Sequence, residues 1–136
     1  MVKIGRANLP KEVKFSATLF FISSFISLIR LFVPQQEIPM GFYIFAGLIS
    51  IALSLLAGFL IIKLNNGGRI FALVLAWISL LIYTYEIVNF FYILLQYKEM
   101  LSIFSFVLSV VWVIASWYII RSLTDKDIKS LFKSKK

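Results

Sequence analysis

The only side chains in this sequence suited to acid–base chemistry are six carboxylates, Glu12, Glu37, Glu86, Glu99, Asp125 and Asp127, because the chain contains no histidine and no cysteine. The missing imidazoles remove the commonest proton shuttle and most transition-metal sites, and the missing thiols exclude disulfides and thiolate chemistry. The carboxylates are scattered along the chain, so neither paired carboxylates nor a nucleophile with its base can be assembled. These residues therefore point away from an enzyme, and toward neither a metal nor a cofactor. What remains is one carboxyl in apolar surroundings. Glu86 has Tyr83 and Asn89 three residues to either side, which puts all three on one face of a helix. A carboxyl inside a membrane costs about 2.5 kcal/mol or more and needs a partner or a proton. Arg30 is the obvious partner, with snorkelling of Arg30 to the outer head groups as its alternative. For Glu86 the alternatives are a neutral or paired group that holds helices in register, and a site for ion or proton coupling.

The elements that must position these residues are four apolar stretches, 15–33, 40–62, 70–95 and 100–120. Each has the ~20 residues or more that a helix needs to cross a hydrocarbon core of roughly 30 Å, so the sequence predicts four transmembrane helices. The fold class is all-α: a four-helix bundle in the membrane, one domain over residues 1–136, with a tail at 121–136. Basic residues near a span stay on the cytoplasmic side. The N-terminal segment, the junction 63–69 and the tail share one face, which leaves only Arg30 and Lys98 of the fourteen basic residues elsewhere. Both termini are expected in the cytoplasm, with the chain a multi-pass protein of the plasma membrane. The net charge of +8 then reflects topology and attraction to an anionic inner leaflet, and nucleic acid is not an expected partner. The first stretch is too long for a secretory h-region and lacks a small-x-small cleavage site, so it reads as a signal anchor.

Packing signals lie within the spans. Ala46, Ser50, Ser54 and Gly58 recur every four residues in the second, with Gly47 and Ala57 beside them. A ridge of small residues lets another helix approach closely, within the monomer or in a second subunit. Ser16, Ser23 and Ser27 lead to Arg30 in the first span, and Ser102, Ser109 and Ser116 recur every seven residues in the fourth, with Ser105 between. Such serines mark inward-facing seams, or less readily a polar pathway. Phe42, Tyr43, Tyr92, Tyr97, Trp117 and Tyr118 fall near span ends as interfacial anchors, whereas Trp77 and Trp112 lie deeper and are expected to be packed.

Lys63-Leu-Asn-Asn-Gly-Gly-Arg69 reads as a tight reversal in which Asn and Gly take left-handed angles and both cations sit at the membrane surface. It is not a phosphate cradle, since the strand and the Lys-Ser/Thr ending are missing. In the tail, Thr124 and Asp127 have capping-box spacing, followed by Ile128, Leu131 and Phe132 on one face with Lys126, Lys129 and Lys133 outside it. The expectation is a short amphipathic helix on the inner membrane surface, with docking onto a partner subunit as the rival use.

Pro10, Lys11 and Val13 before the first span, Arg30 near its end, the turn Asn65 to Arg69, and Leu131-Phe132 in the tail occur in an order that resembles small uncharacterised prokaryotic membrane proteins with four spans. The sequence departs from that group in placing Gly-Gly where such turns often carry an aromatic residue and Ala. The resemblance implies topology and no activity. Three functions are compatible with these features. The first is a non-catalytic accessory or assembly subunit that packs with another membrane protein or with itself. The second is a small transporter or channel using Glu86, although small drug exporters place their essential carboxyl in the first span. The third is a holin-like pore former, suggested by small size and a basic tail.

Overall fold

The computed structural model describes residues 9–32, 40–97 and 103–133, which are helical apart from short connections. Five helices follow in order: α1 (Lys11–Leu31), α2 (Met40–Ile62), α3 (Asn66–Tyr97), α4 (Ile103–Thr124) and α5 (Lys126–Lys133). α1 to α4 are long and apolar enough to span a membrane. The loop 34–39, Lys98, Glu99 and Ser102 lie outside the described residues, as do the side chains of Tyr43, Tyr97 and Lys133. The most extensive pairings are α1 with α2 and α3 with α4, while α2–α3 and α1–α4 contacts join the two hairpins.

The helices overrun the apolar stretches at several ends, because backbone hydrogen bonding continues until a cap stops it. α1 starts at Lys11, directly after Pro10, whose carbonyl accepts the Lys14 N–H at 3.1 Å. α3 begins at Asn66 rather than near residue 70, and at 32 residues it runs about 48 Å, well beyond a hydrocarbon core of roughly 30 Å.

The α2–α3 reversal departs from expectation in an instructive way. The left-handed residue is Leu64, at φ 55°, and no glycine there has positive φ. Leu64 N–H donates to the Ile61 carbonyl at 2.9 Å and Asn65 N–H to the Leu60 carbonyl at 3.3 Å, the paired bonds of a Schellman cap. A left-handed leucine costs about 1–2 kcal/mol. That cost is offset by seating its side chain, 3% exposed, in the core. Asn65 then caps α3, its Oδ1 accepting the Gly68 N–H at 3.0 Å. Gly68 is needed for space: a Cβ there would lie 2.3 Å from Leu60 Cβ and 3.2 Å from its carbonyl carbon.

Arg69 also corrects the expectation of a surface cation. It is 7% exposed, and its guanidinium donates through Nε to Asn66 Oδ1 at 3.2 Å and through an Nη to the Leu123 carbonyl at 3.0 Å. Leu123 belongs to the last turn of α4, where carbonyls lack partners within the helix and the macrodipole is negative. Arg69 therefore fastens the start of α3 to the end of α4. Lys63 stays exposed, with its ammonium 4.3 Å above the Phe59 ring.

The tail differs in two respects. Thr124 does not cap α5, since its hydroxyl donates back to the Ile120 carbonyl at 2.6 Å; Asp125 does, accepting the Asp127 N–H at 2.9 Å. A hydroxyl in helical backbone bonds one turn back, which leaves the cap to the next acceptor along. The apolar face of α5 lies on the protein rather than on lipid. Ile128 and Phe132 are buried in one cluster with Leu9, Val13, Ile61, Leu64 and Leu123, so α5 and Leu9 cover the end of the molecule where α2 turns into α3. We call this the junction end. Lys126 and Lys129 are exposed, Lys126 on the side away from Ile128 and Phe132 and Lys129 on the flank of their face.

Substituting Gly68→Ala should lower stability by about 1–3 kcal/mol despite alanine's better helix propensity, because the Leu60 backbone cannot yield. Gly41→Ala, where the added methyl meets no atom within 4 Å, should be neutral or slightly stabilising. Unfolding in mixed micelles measures both; equal stability of the two variants would contradict the close approach.

Candidate functional site

Away from the junction end, polar side chains gather between the helix pairs. Counted from Lys11 and Asn66, Arg30 and Glu86 lie about 28 and 30 Å along α1 and α3, which start together at the junction end and run in the same direction. The two depths differ by about one residue's rise, the same offset that the apolar stretches give. Arg30 lies within side-chain hydrogen-bonding reach of Tyr83, and Tyr83 lies within the electrostatic influence of both Arg30 and Glu86. Glu86 Oε2 accepts the Ser109 hydroxyl at 2.6 Å, and Ser109, buried on α4, also lies 3.0 Å from the Ser105 carbonyl. The Tyr83 ring stacks on Trp112 with centroids 6.2 Å apart. Arg30, Tyr83, Glu86 and Ser109 thus form a polar line across α1, α3 and α4.

Three of the four residues read from the sequence as an intramembrane polar site, Arg30, Tyr83 and Glu86, are brought together; Asn89 is exposed on α3. The member that sequence reasoning placed elsewhere is Ser109, read as one of a packing series. A serine on α4 opposite the only carboxyl of α3 is the signal that could have found it.

The small-residue ridge is used within the chain, but on a rotated face. Ser54 and Gly58 are buried against α1, and a Cβ at Gly58 would sit 3.1 Å from the Phe21 ring and 3.3 Å from the Ala17 carbonyl oxygen. Gly47 takes the place expected for Ala46, since a Cβ there would run into the Leu31 side chain, while Ala46 is exposed. A strict four-residue spacing drifts about 40° per step around the helix, so Ala46 is carried off the face that Gly58 occupies. Ser50 lies between, its hydroxyl 3.4 Å from that of Ser27. Ser24, also on α1, is buried and donates to the Phe20 carbonyl at 3.1 Å.

Other expectations divide similarly. Ser16 and Ser116 are buried, with Ser16 Oγ lacking a hydrogen-bond partner. Trp112 is packed, but Trp77 is 49% exposed and faces outward, because the neighbouring Ala72 and Ala76 turn the other side of α3 into the core. Phe90, Phe91 and Phe106 form an aromatic cluster between α3 and α4 next to Glu86, with Phe90 and Phe106 centroids 4.6 Å apart.

No group of three or more metal-ligating side chains occurs among the described residues. Comparisons with protein-family models, curated proteins and solved structures find no match to this chain.

Arg30 and Tyr83 should be energetically coupled. A double-mutant cycle of Arg30→Met with Tyr83→Phe, read by unfolding in micelles, should give an interaction of about 0.6–1.7 kcal/mol. Strict additivity of the two substitutions would remove the Arg30–Tyr83 link from the polar line.

Proposed function

We propose that this chain is a non-catalytic integral membrane protein, an accessory or assembly subunit whose polar α3 face is covered by another membrane protein or by a second copy of itself. One observation carries the reading. Glu86 and Asn89 are exposed on one face of the isolated chain, yet they lie within the apolar span that continues to Leu95. Side chains of this kind facing lipid are costly and are normally turned toward protein or a water-filled space. The four spans form a bundle in the plasma membrane with both termini cytoplasmic, a reading supported by the excess of Lys and Arg at the junction end.

A second reading, a small transporter or channel, is favoured by the gathering of Arg30, Tyr83, Glu86 and Ser109 across three helices, with Glu86 accepting the Ser109 hydroxyl. A carboxyl bonded to a serine in such a group is a place where a proton or cation can pause.

Mass analysis of gently extracted protein, with a photo-crosslinking residue at Asn89, distinguishes the two. A subunit should appear as a homo-oligomer or with a stoichiometric partner, with the Asn89 crosslink joining the two proteins. Purified protein in liposomes should then leave a pH gradient intact. A monomer whose Asn89 probe labels only lipid would defeat the subunit reading, and a gradient lost with wild type but kept with Glu86→Gln would establish the transporter.

A further inference from the structure

Between α1 and α4 at the junction end lies an open groove of about 490 Å³, lined by Lys11, Lys14, Phe15, Thr18 and Tyr118. The four α1 residues are spaced i, i+3, i+4 and i+7, so they form one stripe along about 10 Å of helix. Phe15 meets the Tyr118 ring edge-on, with centroids 5.0 Å apart, closing the groove floor between the two helices. The Thr18 hydroxyl donates to the Lys14 carbonyl at 2.9 Å, which leaves its oxygen facing outward as an acceptor only. The cationic end is reinforced by Arg121, exposed on α4 one turn beyond Tyr118. Glu12, the nearby carboxylate, is exposed about 100° round α1 from Lys11 and does not line the groove.

The stripe changes character with depth. On α1 the same face continues as Ile22 and Phe25, and on α4 the face of Tyr118 continues as Ile114 and Val111, all exposed. Two ammonium groups and a phenol at one end, with apolar tracks leading away from them along both walls, match the shape and polarity of a phospholipid. The length also fits, since head-group layers occupy the few ångströms on either side of the hydrocarbon core.

We propose that this groove is a binding site for one anionic phospholipid, its phosphate held by Lys11 and Lys14 with the Tyr118 hydroxyl as a further donor and its acyl chains lying along the apolar tracks. Basic pockets between helix ends on one face of a membrane protein hold anionic head groups in this manner. The groove adds a defined position to the general attraction of a basic surface for an anionic leaflet, and it stands whichever partner covers α3.

Native mass spectrometry of the full chain, titrated with phosphatidylglycerol and with phosphatidylcholine of the same acyl chains, tests the site. One phosphatidylglycerol should bind preferentially. Lys14→Gln should weaken that binding about fivefold and Lys11→Gln with Lys14→Gln about 25-fold, the worth of one and two lysines at a membrane surface. Lys63→Gln, which removes an exposed junction-end cation outside the groove, should change it less than about twofold. Millimolar inorganic phosphate should not displace the lipid. Equal binding of the two lipids, an equal loss with Lys63→Gln, or displacement by inorganic phosphate would each overturn the proposal; the first and last use the wild-type chain and do not depend on how any variant folds.

Discussion

The hydrogen bond from Arg69 to the Leu123 carbonyl is the interaction on which the rest of this architecture depends. A long helix that ends beside apolar neighbours leaves carbonyls with no water to satisfy them, and each such group is costly. An arginine in the first turn of α3 is on the wrong side of its own helix dipole, but it lies against the negative end of α4. One side chain thereby meets two needs: it satisfies the end of α4 and places its own charge favourably. With the start of α3 fixed to the end of α4, the turn at Asp125 brings the chain back over the same spot, and Ile128 and Phe132 close on Leu9, Leu64 and Leu123. At this end, near water, apolar burial contributes in the ordinary way, at about 1.5–3 kcal/mol for a side chain the size of Phe132.

If α1 to α4 cross a membrane, as proposed, that driving force is absent deeper in the helices, because lipid is as apolar as leucine. The remaining contacts there are of two kinds. α1 and α2 approach through Gly47, Ser54 and Gly58, where close packing accumulates dispersion and serine hydroxyls return their bonds to nearby carbonyls. α3 and α4 are joined through aromatic rings and the Glu86–Ser109 bond, and α1 reaches α3 through Arg30 and Tyr83. The molecule is thus closed by apolar side chains at the junction end and tied by polar ones farther along, with Glu86 and Asn89 still exposed. On the readings proposed above, this asymmetry leaves the exposed part of α3 for a protein partner and the basic groove between α1 and α4 for a lipid.

Much of the helical architecture was legible in the sequence, because hydropathy over twenty residues is a strong signal and the four spans of α1 to α4 follow from it. The Tyr83–Glu86–Asn89 spacing likewise placed three polar residues on one helix, whereas Arg30, expected beside Glu86 by elimination, lies beside Tyr83, and Ser109 is the hydroxyl bonded to Glu86. What could not be read was anything decided by contact across the fold. Arg69 looked like a surface cation because its acceptor is 54 residues away. Leu64 adopts a left-handed angle in a turn that offers two asparagines and two glycines after it, because burial of its side chain outweighs local strain, which no turn rule contains. The ridge at Ala46 was misplaced by the drift of a four-residue repeat, and α5 was assigned to lipid because its apolar face gives no indication of what covers it.

The most direct test of this account is hydrogen exchange on Arg69→Met in nanodiscs. Methionine keeps the bulk and removes the donors, so the amides of residues 121–133 should exchange at least about tenfold faster than in the wild type, while those in the middle of α2 are unchanged. Wild-type protection throughout 121–133 in the variant would show that α4 and α5 are held by other means and would contradict the central role given to Arg69.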